Sequence, residues 1–209
     1  MNRREEKKHE TFEAIVGAAA ISFETVGYQE TAIESIAVDA GVSAGTVYNY
    51  FGTKNAILAT IVTQQTDGIM REAREALDLE ASDPIAALMP MIRVYIDAMS
   101  GYGPDLLKEV FRAGFEPAQS GLLADLVSAD ERVIAQLADA LQRMQSLGLV
   151  AVDVDPVQAA LLVYSVVAVA LMMFVAVPGM TSEEVNAAAE DQIVMVFGGL
   201  GDRDVHPNG

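Results

Sequence analysis

Between residues 12 and 23 the apolar side chains Phe12, Ile15, Val16, Ala19, Ala20 and Phe23 fall at i, i+3, i+4, i+7, i+8 and i+11, a single stripe along an α-helix. The same spacing recurs through the chain, and the strict alternation that marks a half-buried strand occurs nowhere. A chain patterned in this way buries its apolar surface by packing helix on helix. Composition agrees, since 52% of the residues are hydrophobic, 6% are aromatic and none is Trp, a balance that suits packed helices more than a β-sandwich. The expected fold class is all-α, with about nine helices.

Gly and Pro punctuate the helices. Gly27 supplies a left-handed stop to the first helix, with Tyr28 placed for the accompanying contact. Thr31-Ala32-Ile33-Glu34 reads as a capping box for a second, short helix with Ile33, Ile36, Ala37 and Ala40 on its apolar face. Gly41 ends it, and Ser43 is placed to cap a third helix with Val47 and Phe51 pointing inward. Two short helices around a tight glycine turn form a helix-turn-helix pattern. Thr53 caps a fourth helix from Lys54 to about Leu79. Pro84, Pro104, Pro117 and Pro156 each suit a first helical turn, which predicts helices over 84–100, 104–115, 118–147 and 155–177. A last helix, capped by Thr181 or Ser182 with Glu184 nearby, runs to about Leu200. The expected organisation is a three-helix domain over 1–53, a larger helical domain over 54–200 and a frayed tail over 201–209.

Charge and residue usage narrow the function. The chain carries 13 Lys+Arg against 30 Asp+Glu, a net of −17, the opposite of the usual nucleic-acid footprint. Its distribution matters, because residues 1–60 hold five bases against eight acids and the remaining −14 lies beyond them. With no cysteine, disulfides, thiolate metal sites and Cys nucleophiles are excluded. No His, Asp and Glu show metal-ligand spacing, so neither a metal nor a cofactor is expected. The charged start Met-Asn-Arg-Arg-Glu-Glu-Lys-Lys-His-Glu is unlike a signal peptide and points to a cytoplasmic location. Val157–Val177 is uncharged and long enough to span a bilayer, but its flanks are acidic and lack aromatic anchors; a helix buried on all sides is the expectation, with no membrane contact. Gly41-Val42-Ser43-Ala44-Gly45 matches a nucleophile elbow literally. That motif requires a strand before the serine, whereas residues 33–40 have helical spacing, so no catalytic residue and no enzyme activity are expected.

Residues 36–54, IAVDAGVSAGTVYNYFGTK, resemble the DNA-binding segment of the TetR family of bacterial transcriptional regulators. The positions that carry the likeness are Ile36-Ala37, Ala40-Gly41-Val42-Ser43, Gly45-Thr46-Val47-Tyr48, Tyr50-Phe51 and Thr53-Lys54, and the close resemblance covers residues 10–60. It implies a third helix in the major groove of double-stranded operator DNA. By resemblance, Thr31, Ser43, Ala44, Gly45, Thr46, Tyr48, Asn49 and Tyr50 lie at that interface. Lys54 holds a phosphate, and Arg3, Arg4, Lys7 and Lys8 add charge from a leading arm. Ala32 and Ala44 depart from the family pattern where a hydroxyl and a base-reading side chain are frequent, which leaves base readout to Thr46 and Asn49. Five cations per subunit give a dimer at most about ten phosphate contacts, a log-log salt slope near −9.

The remainder is expected to sense a small, largely apolar effector and to dimerise. Met89, Arg93, Tyr95, Met99, Tyr102, Phe111, Phe115 and Met144 are the candidate pocket residues, since flexible Met with aromatics suits an adaptable cavity. Tyr164, Val167 and Leu171 on the 157–177 helix, with Val185, Ala189, Gln192 and Val196 on the last, are the candidate faces of a two-fold homodimer. The resemblance implies repression released when the effector makes the fourth helix pivot and changes the spacing of the recognition helices.

Overall fold

A computed structural model describes residues 2–115 and 122–201. Among them the regular elements are helices: α1 (Arg3–Thr25), α2 (Ile33–Asp39), α3 (Ala44–Phe51), α4 (Lys54–Ala76), α5 (Pro84–Ser100), α6 (Gly103–Phe115), α7 (Leu122–Ser146), α8 (Pro156–Ala176) and α9 (Ser182–Gly201). Pro117 and most of the expected tail lie outside the described residues. The chain divides into two compact units, Met1–Thr66 with Tyr102–Ala129 and Asp67–Gly101 with Asp130–Gly209. The division therefore runs through α4 and α7 instead of falling before Lys54.

In the first unit the α1 stripe is buried as its spacing predicts, through Ile15, Val16, Ala19 and Phe23. Ile36 and Ala37 from α2, Val47 and Phe51 from α3, Ile57 and Leu58 from α4 and Leu107 from α6 are buried with it. Truncating a fully buried residue such as Ile36 to Ala costs about 2–5 kcal/mol, so these side chains set the orientation of the short helices. Gly41 sits at φ 68 between α2 and α3, where any Cβ is strained. That turn lets two helices too short to persist alone be held against α1.

One local expectation fails. Ala32, not Thr31, is the N-cap of α2, and no side chain caps that end. Thr31 is 4% exposed, and its hydroxyl donates to the carbonyls of Gly27 at 2.7 Å and Ser22 at 3.2 Å. Burial turns the hydroxyl toward the end of α1, where the Ser22 and Gly27 carbonyls, each already accepting a backbone N–H, take its hydrogen bond in place of the α2 amides.

In the second unit α5, α8 and α9 pack against one another. Asp83 and Asp155 cap α5 and α8, each followed by proline in the first turn. Thr181, one of the two expected caps, forms a capping box with Glu184 at α9, with Glu184 N donating to Thr181 Oγ1 at 3.2 Å and Thr181 N to Glu184 Oε2 at 2.8 Å. Leu88, Met91, Ile92 and Ile96 fill the middle with Leu141, Met144, Val163 and Phe174. Leu171, Val185 and Ala189 also belong to this core, at 5%, 0% and 0% exposure, which corrects their assignment to a dimer face. Val185, Ala189 and Ile193 recur every fourth residue, so the stripe visible in α9 is the one that faces its own chain. Helix α8 is apolar all round, and its periodicity carries no record of which side turns inward.

Candidate nucleic-acid interface

The basic arm is helical. Asn2 and Glu5 form a capping box, with Arg4 N donating to Asn2 Oδ1 at 3.4 Å and Asn2 N to Glu5 Oε2 at 3.1 Å. Arg3, Arg4, Lys7 and Lys8 therefore occupy the first two turns of α1 and are exposed. Between these turns and α3 lies a groove of about 830 Å³ lined by Arg4, Lys7, Lys8 and His9 on one side and Thr46, Asn49 and Tyr50 on the other. Glu5 is the one carboxylate among its lining residues, so the groove is positive in a chain that is strongly acidic. Tyr50 closes its floor by donating its hydroxyl to the Lys8 carbonyl at 3.2 Å, and Phe12 stacks on Phe51 at 5.1 Å. Sequence reasoning passed over His9, Thr11 and Phe12 at this site, although the heptad-like spacing from Arg4 through Lys8 to Thr11 places them on the same face.

Helix α3 presents its other side outward. Val47 and Phe51 are buried, while Gly45 and Asn49 are exposed and Tyr48 is half-exposed. Ser43 Oγ accepts from Thr46 N at 3.1 Å and lies 2.8 Å from Thr46 Oγ1, so this cap also fixes the threonine rotamer. The amides of the first turn point out of the helix end, where the dipole favours an anion. Gly45 has helical geometry, and a Cβ there would meet only Ser43 Oγ, at 3.8 Å. Packing within the chain does not require glycine at 45. Ala44 is half-buried beside it. The serine of the nucleophile-elbow match thus follows a helix and a turn and serves as a cap; His9 faces Glu13 at 3.8 Å.

Thr31 and Lys54 play a different part from the one expected. Lys54 Nζ donates to the carbonyls of Tyr28 at 2.5 Å, Thr31 at 2.9 Å and Gln29 at 3.3 Å, and lies 4.4 Å from the Tyr28 ring centre. An ammonium has three donors, and all are engaged on the loop between α1 and α2. Burial lowers its pKa, while Glu109 and Glu30 pull it back up and Arg112 lowers it further. Glu109, buried on α6, accepts from Gln29 Nε2 at 2.6 Å and pairs with Arg112 at 2.7 Å. The same loop is therefore gripped from α4 and from α6, a polar network that no local motif announces.

The candidate effector residues do not form one set. Met89, Tyr95 and Met144 are buried in the second unit and Met99 is half-buried there, but Arg93 is exposed and pairs with Glu190 at 2.6 Å. Tyr102 and Phe111 belong to the first unit, where the Tyr102 hydroxyl donates to Gln65; the side chain of Phe115 lies outside the described residues. Among the dimer candidates, Val167 and Val196 are half-buried and Gln192 is exposed. Tyr164 is half-buried and hydrogen-bonded to Asp130, and burial followed by the Asp130 charge pushes its phenol pKa well up. Among the described residues no group of three His, Asp or Glu could hold a metal.

Residues 15–61 match the model of the bacterial regulatory proteins of the tetR family. A curated relative, the Transposon Tn10 TetC protein of Escherichia coli, is 29% identical over 96 residues, 46% of this chain and 48% of that protein; the chain thus spans about half the length of the curated relative it matches. The crystal structure of Thermus thermophilus FadR, a TetR-family transcriptional repressor in complex with lauroyl-CoA, is similar at a TM-score of 0.71 and 24% identity, over 95% of this chain and 100% of that one. A TetR-family transcriptional regulator from Pectobacterium atrosepticum is similar at 0.73 and 19% identity, over 96% and 97%. The chain thus carries a helix-turn-helix at the segment that matches the tetR-family model and shares the helical fold of those solved structures over nearly its whole length.

Proposed function

We propose that the chain is a homodimeric transcriptional regulator that binds near-palindromic operator DNA through α3 and is released from it by a small, largely apolar effector held in the second unit. The single observation that carries this reading is the positive groove between α1 and α3 on a protein of net charge −17. A duplex docked there meets Arg4, Lys7 and Lys8 along its phosphates and Gly45, Thr46 and Asn49 at base edges, while the acidic remainder repels DNA elsewhere. Three cations per subunit give about six phosphate contacts in the dimer and a salt slope near −5. The reading places the protein in the cytoplasm and gives it no catalytic role. That a similar fold holds lauroyl-CoA in the Thermus repressor supports an apolar effector, and α4, which runs through both units, is the element through which its binding reaches the DNA side.

The homodimer has its own support. Leu161, Leu162, Val169, Met172 and Met173 of α8 and Val194 and Met195 of α9 are exposed large apolar residues, a face that a two-fold partner covers. Helix α8 is also long and apolar enough to cross a membrane, with mean hydropathy 2.5, so both readings make a prediction. A detergent-free sample that sediments as a dimer supports the homodimer, and one that stays with the membrane fraction defeats it. For the regulator reading the test is an electrophoretic shift and footprint on DNA upstream of the protein's own gene. A protected near-palindrome, lost in the Arg4→Ala/Lys7→Ala/Lys8→Ala variant, is expected; equal binding by that variant and the parent overturns the assignment of the groove.

A further inference from the structure

We propose that the effector is a neutral amphiphile whose head both accepts and donates a hydrogen bond, a primary amide or an alcohol on an apolar chain, and that its polar partners are the Tyr95 hydroxyl and the Gln136 side-chain oxygen. This rests on the regulator reading and names the chemistry of its effector site. Tyr95 and Gln136 are 8% and 6% exposed, and their Oη and Oε1 atoms are buried without a hydrogen-bond partner. Buried polar atoms of this kind are few in folded proteins, and each calls for a missing partner. Both lie in the second unit. Gln136 Nε2 donates to the Met70 carbonyl at 2.8 Å, which orients the amide and leaves its oxygen as the free end. Tyr95 lies close enough to Arg74 for that charge to act on the phenol, and Met70 and Arg74 are successive turns of α4, about 6 Å apart. A buried donor on α5 and a buried acceptor on α7 are thus both left open in the second unit.

The surroundings disfavour a charged head. Met89, Met91 and Met144 are buried in the same unit, and thioethers adapt to apolar chains of varied shape. Burial holds the Tyr95 pKa at about 12, so the phenol is a neutral donor at any working pH. Arg93 is occupied by Glu190 and Arg74 is exposed, so a carboxylate head would be desolvated with no buried cation beside it.

The test uses three ten-carbon probes on the full chain by calorimetry: decanamide, which donates and accepts; methyl decanoate, which only accepts; and decanoate, which is charged. Decanamide is expected to bind at least about fivefold more tightly than the ester and more tightly still than the anion, and to weaken the operator shift. Tyr95→Phe is expected to weaken decanamide about tenfold while leaving the melting temperature unchanged or higher, because it deletes a hydroxyl that is unpaired in the free protein. The proposal is overturned if decanamide does not bind, if the ester or the anion binds as well as the amide, or if Tyr95→Phe lowers the melting temperature and leaves decanamide affinity intact. Failure of the regulator reading is separate: it shows as no operator shift by the ligand-free parent protein, which none of these outcomes alters.

Discussion

Lys54→Met decides whether the cation at the head of α4 holds the chain or the DNA. The ammonium donates to the carbonyls of Tyr28 at 2.5 Å, Thr31 at 2.9 Å and Gln29 at 3.3 Å, and lies over the Tyr28 ring. Hydrogen bonds from a charged donor contribute about 1.5–3 kcal/mol each when desolvated. Lys54 is half-buried and the carbonyls it leaves can recruit water, so the sum is discounted to about 2 kcal/mol. For a chain of this length that lowers the melting temperature by about 4–8 °C. Methionine retains the apolar stem, which confines the change to the lost donors. The assay pairs thermal melts with operator binding over a salt series, well below the melting range. The expected result is a lower melting temperature and an unchanged salt slope, because no phosphate contact is removed. A phosphate clamp gives the opposite pattern: an unchanged melt and a slope shallower by about 1.8 for the two subunits. That second pattern refutes the structural role assigned to Lys54.

Three further outcomes follow from the same geometry. Thr31→Val deletes a buried hydroxyl bonded to Ser22 and Gly27 carbonyls and is expected to lower stability by about 1–2 kcal/mol in urea titration with no change in salt slope; a neutral variant removes Thr31 from the core network. Burial holds the Asp130 pKa above its ordinary 3.8, against a hydrogen bond with Tyr164 that lowers it. The folded chain then holds that proton more tightly than the unfolded one, and stability is lost as pH rises from the ordinary value through the raised one. The melting temperature of Asp130→Asn relative to the parent should therefore climb as pH rises above the ordinary carboxylate value, and a difference independent of pH defeats the assignment. Met195→Glu places a charge at a position 76% exposed in the single chain; it should leave the monomer fold intact by circular dichroism while raising the dimer dissociation constant about 100-fold, roughly 3 kcal/mol, and an unchanged sedimentation profile rules out that face.

What was legible in the sequence was local. Ser43, Thr53 and the Thr181–Glu184 pair act within a few residues of themselves, and the α1 stripe depends only on helical period, so these elements form where the spacing predicts. Asn2 and Glu5 were equally readable, and the box they form turns an apparent arm into two helical turns that frame the groove. Faces and partners were not legible where more than one answer is locally consistent. Helix α8 has no polar side to mark its exterior, so Leu171 could not be told from Leu162. Met and aromatic residues at helical spacing suit any core, and Tyr102 and Phe111 fall in a different unit from Tyr95 and Met144.

Thr31 and Lys54 show the same limit in polar form. Each has a satisfactory local role, a cap for α2 and a phosphate contact on α4, and each is taken instead by carbonyls near the end of α1. Once Gly27 leaves the helix at φ 96, the carbonyls of Gly27, Tyr28, Gln29 and Thr31 lie outside any regular ladder, yet each still requires a donor. An ammonium brought there by the packing of α4 supplies donors to the last three, and the Thr31 hydroxyl adds to the backbone N–H that Gly27 already accepts. Because the acceptors exist only after the helices have docked, no window of sequence contains them. The helix-turn-helix is thus specified twice, by its own caps and stripes and then by cations and hydroxyls that respond to the docked loop. The second layer also connects it to Glu109 on α6, through Gln29.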